Sequence, residues 1–129
     1  MHEHRAHHQL TRGLFAGCTA KDIAAIRRAG TDVTVPAGTV IHTTGRRAQW
    51  AYVILEGEAV AGHGTGQRTL GPGDVHGDRA VLRREEHCDE LIARTEVRVL
   101  VIDRIDFTAL MAQVAGFAYG IARPLAAVA

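Results

Sequence analysis

The spacing of apolar residues changes period twice along the chain. Thr19 stands as a helix N-cap, with Asp22 three residues on in the position of a capping box. Ile23 and Ile26 then fall three apart on one helical face, Ala24 and Ala25 lie between them, and Gly30 supplies a stop. Leu14 and Phe15, just upstream, are placed to pack under this helix. From Val33 the period drops to two. Val33 and Val35 alternate with polar neighbours, Pro36-Ala37-Gly38 makes a turn, and Thr39 to Thr43 is β-branched at four of five positions. Trp50 to Leu55 reads as a hydrophobic strand closed at Gly57, with Glu58 to Gly62 continuing it. Gly62-His63-Gly64-Thr65-Gly66 is a loose hairpin loop, Gln67 to Leu70 returns, and Gly71-Pro72-Gly73-Asp74 turns again. Leu91 to Ala93 and Val97 to Ile102 are the last strands, the second showing Val97, Val99 and Val101 on one face. The helical period resumes near Asp103, with Asp106 at the third helical position. Phe107, Leu110, Met111 and Val114 follow the i, i+3, i+4, i+7 rule of a single face. Gly116 then marks a stop or sharp bend. A short helix from Phe117 to Arg123 ends at Pro124.

Short strands at even spacing between helices predict a mainly β fold, an antiparallel β-roll or jelly-roll barrel with an N-terminal helix and a C-terminal helical lid. The chain has 129 residues, which suits one domain. Residues 1–9 read as a disordered, His-rich tail and 10–129 as the domain. That tail, Met1-His2-Glu3-His4-Arg5-Ala6-His7-His8, has the composition of a metal chelator and equally that of a solvated terminus, and the second reading is preferred.

Charge and cysteine content narrow the class. A formal net charge of +1 gives no global attraction to nucleic acid or an anionic membrane. Arg46-Arg47 and Arg83-Arg84 are small basic pairs. Cys18 and Cys88 make neither a disulfide framework nor a zinc spacing. No stretch approaches the roughly 20 apolar residues of a membrane span, and no apolar secretory segment opens the chain. A cytoplasmic protein is expected.

Four segments carry more than composition. Pro36-Ala37-Gly38-Thr39-Val40-Ile41 is followed by Tyr52-Val53-Ile54-Leu55-Glu56-Gly57, a hydrophobic strand running into a glycine turn. Leu70-Gly71-Pro72-Gly73-Asp74-Val75-His76-Gly77-Asp78 comes next, and Val99 to Phe107 completes the set. In order and spacing, across about residues 12 to 115, these resemble the cyclic nucleotide-binding domain family. That family includes the catabolite activator protein, the regulatory subunit of protein kinase A and cyclic-nucleotide-gated channels. The third segment is similar to the run that opens the family's phosphate-binding cassette.

The resemblance implies a definite chemistry. A ribose hydroxyl requires a carboxylate acceptor, and a cyclic phosphate requires backbone N–H donors plus a cation. Carried over residue by residue, Gly77 allows close approach, Asp78 accepts from the ribose, and Arg79, Ala80 and Val81 present amides to the phosphate. His87 and Cys88 occupy the positions where the family has an arginine and a small residue. His87 is an imidazole mostly neutral at pH 7, and Asp89 and Glu90 add two carboxylates beside an anionic site. Arg83 or Arg84 is available as a substitute cation. The plainer roles stay open: Asp78 capping a short helix, His87 on a strand, Cys88 as a small buried apolar residue, Arg79 in solvent.

An enzyme is not expected. His42, His63, His76 and His87 form no HxH cluster of the kind cupins use to hold a metal, and neither a nucleophile elbow nor a P-loop is present. No catalytic residue, metal or cofactor is expected beyond a cyclic nucleotide ligand. The function that follows is ligand sensing with weak or altered cyclic AMP or cyclic GMP binding. The alternative is a degenerate domain used for protein–protein contact or homodimerisation. A third option is a barrel retuned to a neutral or cationic ligand. Nothing resembling a helix-turn-helix follows the lid, so the expected partner is a separate effector protein or a second copy, with no nucleic acid and no membrane, unless the chain is a fragment. Phe117, Ile121, Leu125 and Val128 are expected to face another chain or to fold over the pocket.

Overall fold

A computed structural model describes residues 12–42, 48–62, 64–85 and 89–128, with 123–128 described by backbone alone. A 3-10 turn at Gly13–Gly17 leads into helix α1 (Ala20–Ala29). Eight strands follow: β1 (Thr31–Val35), β2 (Val40–His42), β3 (Trp50–Glu56), β4 (Ala59–Ala61), β5 (Arg68–Leu70), β6 (Val75–His76), β7 (Leu91–Ala93) and β8 (Val97–Asp103). Helix α2 (Asp78–Arg83) lies between β6 and β7, and α3 (Arg104–Gln113) and α4 (Ala115–Val128) follow β8.

The strands form two antiparallel sheets, ordered β1-β8-β3-β6 and β2-β7-β4-β5. They are two separate layers rather than one closed barrel, and the jelly-roll class otherwise stands. The central strands β3 and β8 of the first sheet bury side chains on both faces, because side chains alternate across a strand. Ala51, Val53, Leu55, Leu100 and Ile102 pack under the helices with Phe15, Ile26, Phe107 and Phe117. Tyr52, Ile54, Val97 and Val99 point the other way, against Ala59, Ala61, Leu70, Leu91 and Ala93 of the second sheet.

Both predicted caps are present. Thr19 Oγ1 accepts from the Asp22 N–H at 3.1 Å, and Asp22 Oδ2 accepts from the Thr19 N–H at 3.0 Å, so α1 begins with a complete capping box. Asp103 Oδ1 accepts from the Asp106 N–H at 2.8 Å at the head of α3. Near the start of β1, Asp32 is gripped by the Arg98 guanidinium at 2.8 to 3.1 Å and reached by Arg27 at 3.4 Å. The hydrogen bonds from Arg98 hold the Asp32 carboxyl below its usual range.

Two expectations need correction. β6 has no counterpart among the predicted strands, since two residues are too few to show a period. The end of the chain also differs. The break falls at Val114, whose extended backbone separates α3 from α4, and Gly116 lies inside α4. The axes of the two helices meet at 107°. Gly116 serves close packing: a Cβ there would lie 2.5 Å from Asp22 Oδ2, and one at Gly120 would lie 2.6 Å from the Leu14 carbonyl. The helix also continues past Pro124 to Val128, because a proline removes one helical hydrogen bond and kinks a helix without always ending it.

Two substitutions test this packing. Thr19→Ala removes one side of the capping box and is expected to lower unfolding free energy by about 1 kcal/mol in a urea titration. Gly120→Ala pushes a methyl into backbone and should cost about 1–2 kcal/mol net, although alanine favours a helix by about 1 kcal/mol. A neutral or stabilised Gly120→Ala protein would show that α4 does not seat on the 3-10 turn.

Candidate functional site

The turn Gly71–Asp74 sets the entry to the site. Asp74 Oδ2 accepts from the Gly71 N–H at 2.8 Å, the Gly73 N–H donates to the Ile54 carbonyl at 2.8 Å, and the Leu14 N–H donates to the Gly73 carbonyl at 2.8 Å. The turn is thus fixed to β3 on one side and to the 3-10 turn on the other. The chain then runs through Val75 and His76 and reverses at Gly77, whose φ of 89° is the left-handed conformation glycine adopts without penalty. Helix α2 starts at the next residue.

Asp78 is half-buried at the first position of α2. It lines a depression of about 190 Å³ walled by Leu14, Arg68, Leu70, Val75 and Ile121, with Gly120 at its edge. Burial pushes the Asp78 carboxyl above the usual range, against the opposing pull of its own and Arg79's backbone N–H groups and the charges of Arg68 and Arg79. The carboxylate therefore takes the first amides of α2 while facing a concave surface. Its capping and wall-lining positions coexist.

The other predicted residues are placed less uniformly. Arg79 is exposed and Ala80 is half-buried against the helical core. Val81 does not present its amide: that N–H donates to the Gly77 carbonyl at 3.0 Å, and its side chain is buried in the core under the helices. The expectation for Val81 fails because the segment is helical, and a helical amide at that depth is already bonded. His87 and Cys88 lie outside the described residues. Arg83, in the last turn of α2, and Arg84, just after it, are exposed, and Arg84 takes a left-handed backbone with φ of 56°.

Residues outside the predicted ligand-binding set lie close by. Arg68, on β5, brings its positive charge to Asp78 across the depression. On the opposite side of the Gly77 turn, His76 is 4% exposed and sets Nε2 at 3.2 Å from His42 Nε2. The His42 ring stacks on Tyr52 with centroids 5.1 Å apart and planes at 18°, and meets His76 at 4.7 Å. His42 Nε2 also lies 2.7 Å from the Asp89 carbonyl. Burial lowers the His42 pKa, opposed by the Asp89 carbonyl and by the charges of Asp89 and Glu90. No spacing signal links these rings, which are 34 residues apart; the packing of the sheet that holds β6 against the sheet that holds β2 brings them together.

At the C-terminus, Phe117 and Ile121 are buried within their own chain, with Phe117 edge-on to Phe107 at 5.1 Å. The stripe was expected to face another chain or to fold over the pocket; these two members lie within their own chain, and Ile121 walls the depression. Leu125 and Val128 have side chains outside the described set. No single helix among the described residues is long and apolar enough to cross a membrane.

Comparison with known proteins bears directly on this arrangement. The cyclic nucleotide-binding domain model matches residues 32–114. A protein of Rhodopseudomonas palustris named as a potassium channel protein is 36% identical over 104 residues, covering 78% of this chain. The matched region is 25% of that protein's length, so the chain spans about a quarter of this relative. Among solved structures, the catabolite activator protein of Thermus thermophilus aligns with a TM-score of 0.76 and 25% identity, covering 89% of this chain and 57% of that one. PKAR CBD2 with Sp-2Cl-cAMPS bound aligns at 0.74 and 17% identity, over 93% of this chain and 84% of the other, and supports the fold. With its helix-covered roll, its Gly71-to-Asp78 turn and this match over most of its length, the chain belongs to the cyclic nucleotide-binding domain family.

Proposed function

We propose that this chain is a ligand-sensing regulatory domain, without catalytic activity of its own, whose cavity takes a cyclic nucleotide only weakly at neutral pH. The observation that carries the reading is Asp78, desolvated on the wall of a depression directly after a left-handed glycine and facing Arg68. A carboxylate held there is an acceptor for a sugar hydroxyl, and a ligand donor would replace the α2 amides it now holds. Weak binding follows from the charge count in the run His87-Cys88-Asp89-Glu90. A planar guanidinium donates two parallel hydrogen bonds to a phosphate, and an imidazole does not. A hydrogen bond to a charged group contributes about 1.5–3 kcal/mol, so its loss weakens binding by roughly ten- to hundred-fold. The carboxylates of Asp89 and Glu90 act in the same direction. The effector would be a separate protein or another part of a longer chain.

Titration calorimetry against cyclic AMP and cyclic GMP tests this. Changing His87→Arg, Asp89→Ala and Glu90→Thr together should tighten cyclic AMP binding roughly ten- to hundred-fold. Tight wild-type binding at pH 7, or a triple variant no better than wild type, would sink the charge argument. Asp78→Asn separates stability from binding. The folded-state pKa of Asp78 lies above its unfolded value, so the ionised form opposes folding and stability rises as pH falls through the folded pKa. The variant should therefore melt higher than wild type at pH 7, with the gain shrinking in acid, while cyclic AMP affinity drops about tenfold or more. A lower melting temperature at pH 7 would show that the carboxylate is needed as a helix cap more than burial opposes it.

A further inference from the structure

The depression beside Asp78 is charged on two sides and apolar between them. Asp74 and Asp78 bring carboxylates to it, Arg68 brings a guanidinium from β5, and Leu14, Leu70 and Ile121 supply aliphatic surface. The hydrogen-bonding capacities are opposite. An ionised carboxylate only accepts, and a guanidinium only donates, through five N–H groups in a planar fork. The acceptors are already engaged: Asp74 takes the Gly71 N–H at 2.8 Å, and Asp78 takes the first amides of α2. Arg68 stands apart. It is exposed on the outer strand of the second sheet, and among the described residues its guanidinium is neither hydrogen-bonded nor ion-paired, so Asp78 feels only its charge.

Charge decides which part of a nucleotide this wall receives. Two carboxylates against one guanidinium give the lining no surplus of positive charge to hold a phosphate. Aliphatic walls with one donor fork suit a flat, uncharged ring whose edge carries acceptors. With the ribose hydroxyl on Asp78, the base is the uncharged part left to meet Arg68. The two purines differ at the edge a guanidinium reads. Guanine presents N7 and O6, two adjacent acceptors that match two parallel N–H groups. Adenine presents N7 beside an amino group, which sets a donor against a donor. We propose that Arg68 is the base-reading residue of this cavity, donating two hydrogen bonds to an oxo-purine edge and making cyclic GMP its preferred cyclic nucleotide. The inference rests on the reading of the cavity as a cyclic nucleotide site and adds the base that the site selects and the residue that selects it.

The test uses the full chain, with cyclic GMP, cyclic IMP and cyclic AMP as probes in titration calorimetry. Cyclic IMP carries O6 and N7 but lacks the 2-amino group of guanine. Cyclic GMP and cyclic IMP should both bind about tenfold more tightly than cyclic AMP. Arg68→Lys keeps the charge without the planar fork, and Arg68→Ala keeps neither. Both should bring the three affinities within about twofold of one another, chiefly by weakening cyclic GMP and cyclic IMP. Arg68 is exposed, so neither change removes packing, and the ratio among the three probes in the unmodified protein is a readout that needs no variant. Equal wild-type affinity for cyclic GMP and cyclic AMP overturns the proposal and leaves the nucleotide site standing. A preference for cyclic GMP that survives in Arg68→Ala places the selection at another residue, and one that cyclic IMP does not share places it at the 2-amino group; either overturns the proposal. If Arg68→Ala weakens all three probes by one factor, Arg68 holds the phosphate they have in common, and the base-reading role falls. The same titrations in the His87→Arg, Asp89→Ala, Glu90→Thr background raise all affinities together and should preserve the ratio. No binding of any probe in either background removes both the base-reading role and the nucleotide site.

Discussion

The pairing of β3 with β8 is the constraint on which the rest of the molecule depends. It runs from Trp50 opposite Asp103 to Glu56 opposite Arg98, in the middle of the first sheet, and both of its faces are covered. Val53, Leu55, Leu100 and Ile102 attach the helices to one face, while Tyr52, Ile54 and Val99 attach the second sheet to the other. A slip of one residue would exchange these two sets, since side chains alternate with period two. The large aliphatic groups that fill the space under α1, α3 and α4 would then point at the small alanines of β4 and β7. The register is therefore held from two sides. The site inherits its precision from this ladder, because β6 is attached to β3 and places His76 opposite Tyr52.

That dependence explains why the two halves of the site lie on opposite sides of one short strand. Val75 faces the helices and the depression, and His76 faces the gap between the sheets. Gly77 then turns the chain so that Asp78 returns to the depression on the Val75 side. The depression is also walled by Gly120 and Ile121 of α4, which sits on the 3-10 turn through the absence of a side chain at Gly120. Asp78 and the last helix thus share one cavity wall. A ligand that changes the contacts of one changes the surroundings of the other, without any intervening relay. How far α4 responds is set by the difference in ligand affinity between its arrangements.

Legibility in the sequence followed the range of the interaction. Thr19 with Asp22 and Asp103 with Asp106 were readable because a cap closes over three residues. The long strands were readable because Trp50 to Glu56 and Val97 to Asp103 have room to show a pattern. β6 has two residues and shows none. Gly116 was misread because glycine carries the same letter whether it ends a helix or lets one approach its neighbour, and only the position of Asp22 decides between them. The turn before Asp78 was legible as a motif, since its parts are contiguous. The Val81 amide was assigned to a loop where the chain makes a helical turn. The place of Arg68 beside Asp78 and the meeting of His42 with His76 were not legible, because each depends on strands far apart in the chain being brought together by the fold.

The charges on the two sides of the Gly77 turn differ in kind. On one side of Gly77 a carboxylate is held above its usual pKa by burial, with Arg68 the cation across the depression. On the other side, two imidazoles meet under the influence of Asp89 and Glu90, with burial lowering the His42 pKa. A fixed guanidinium would remain charged across the whole physiological range, whereas an imidazole changes charge within it. Replacing the first by the second makes the cation conditional on its surroundings. Burial disfavours the imidazolium and the neighbouring carboxylates favour it, so the balance between them decides whether the charge is present.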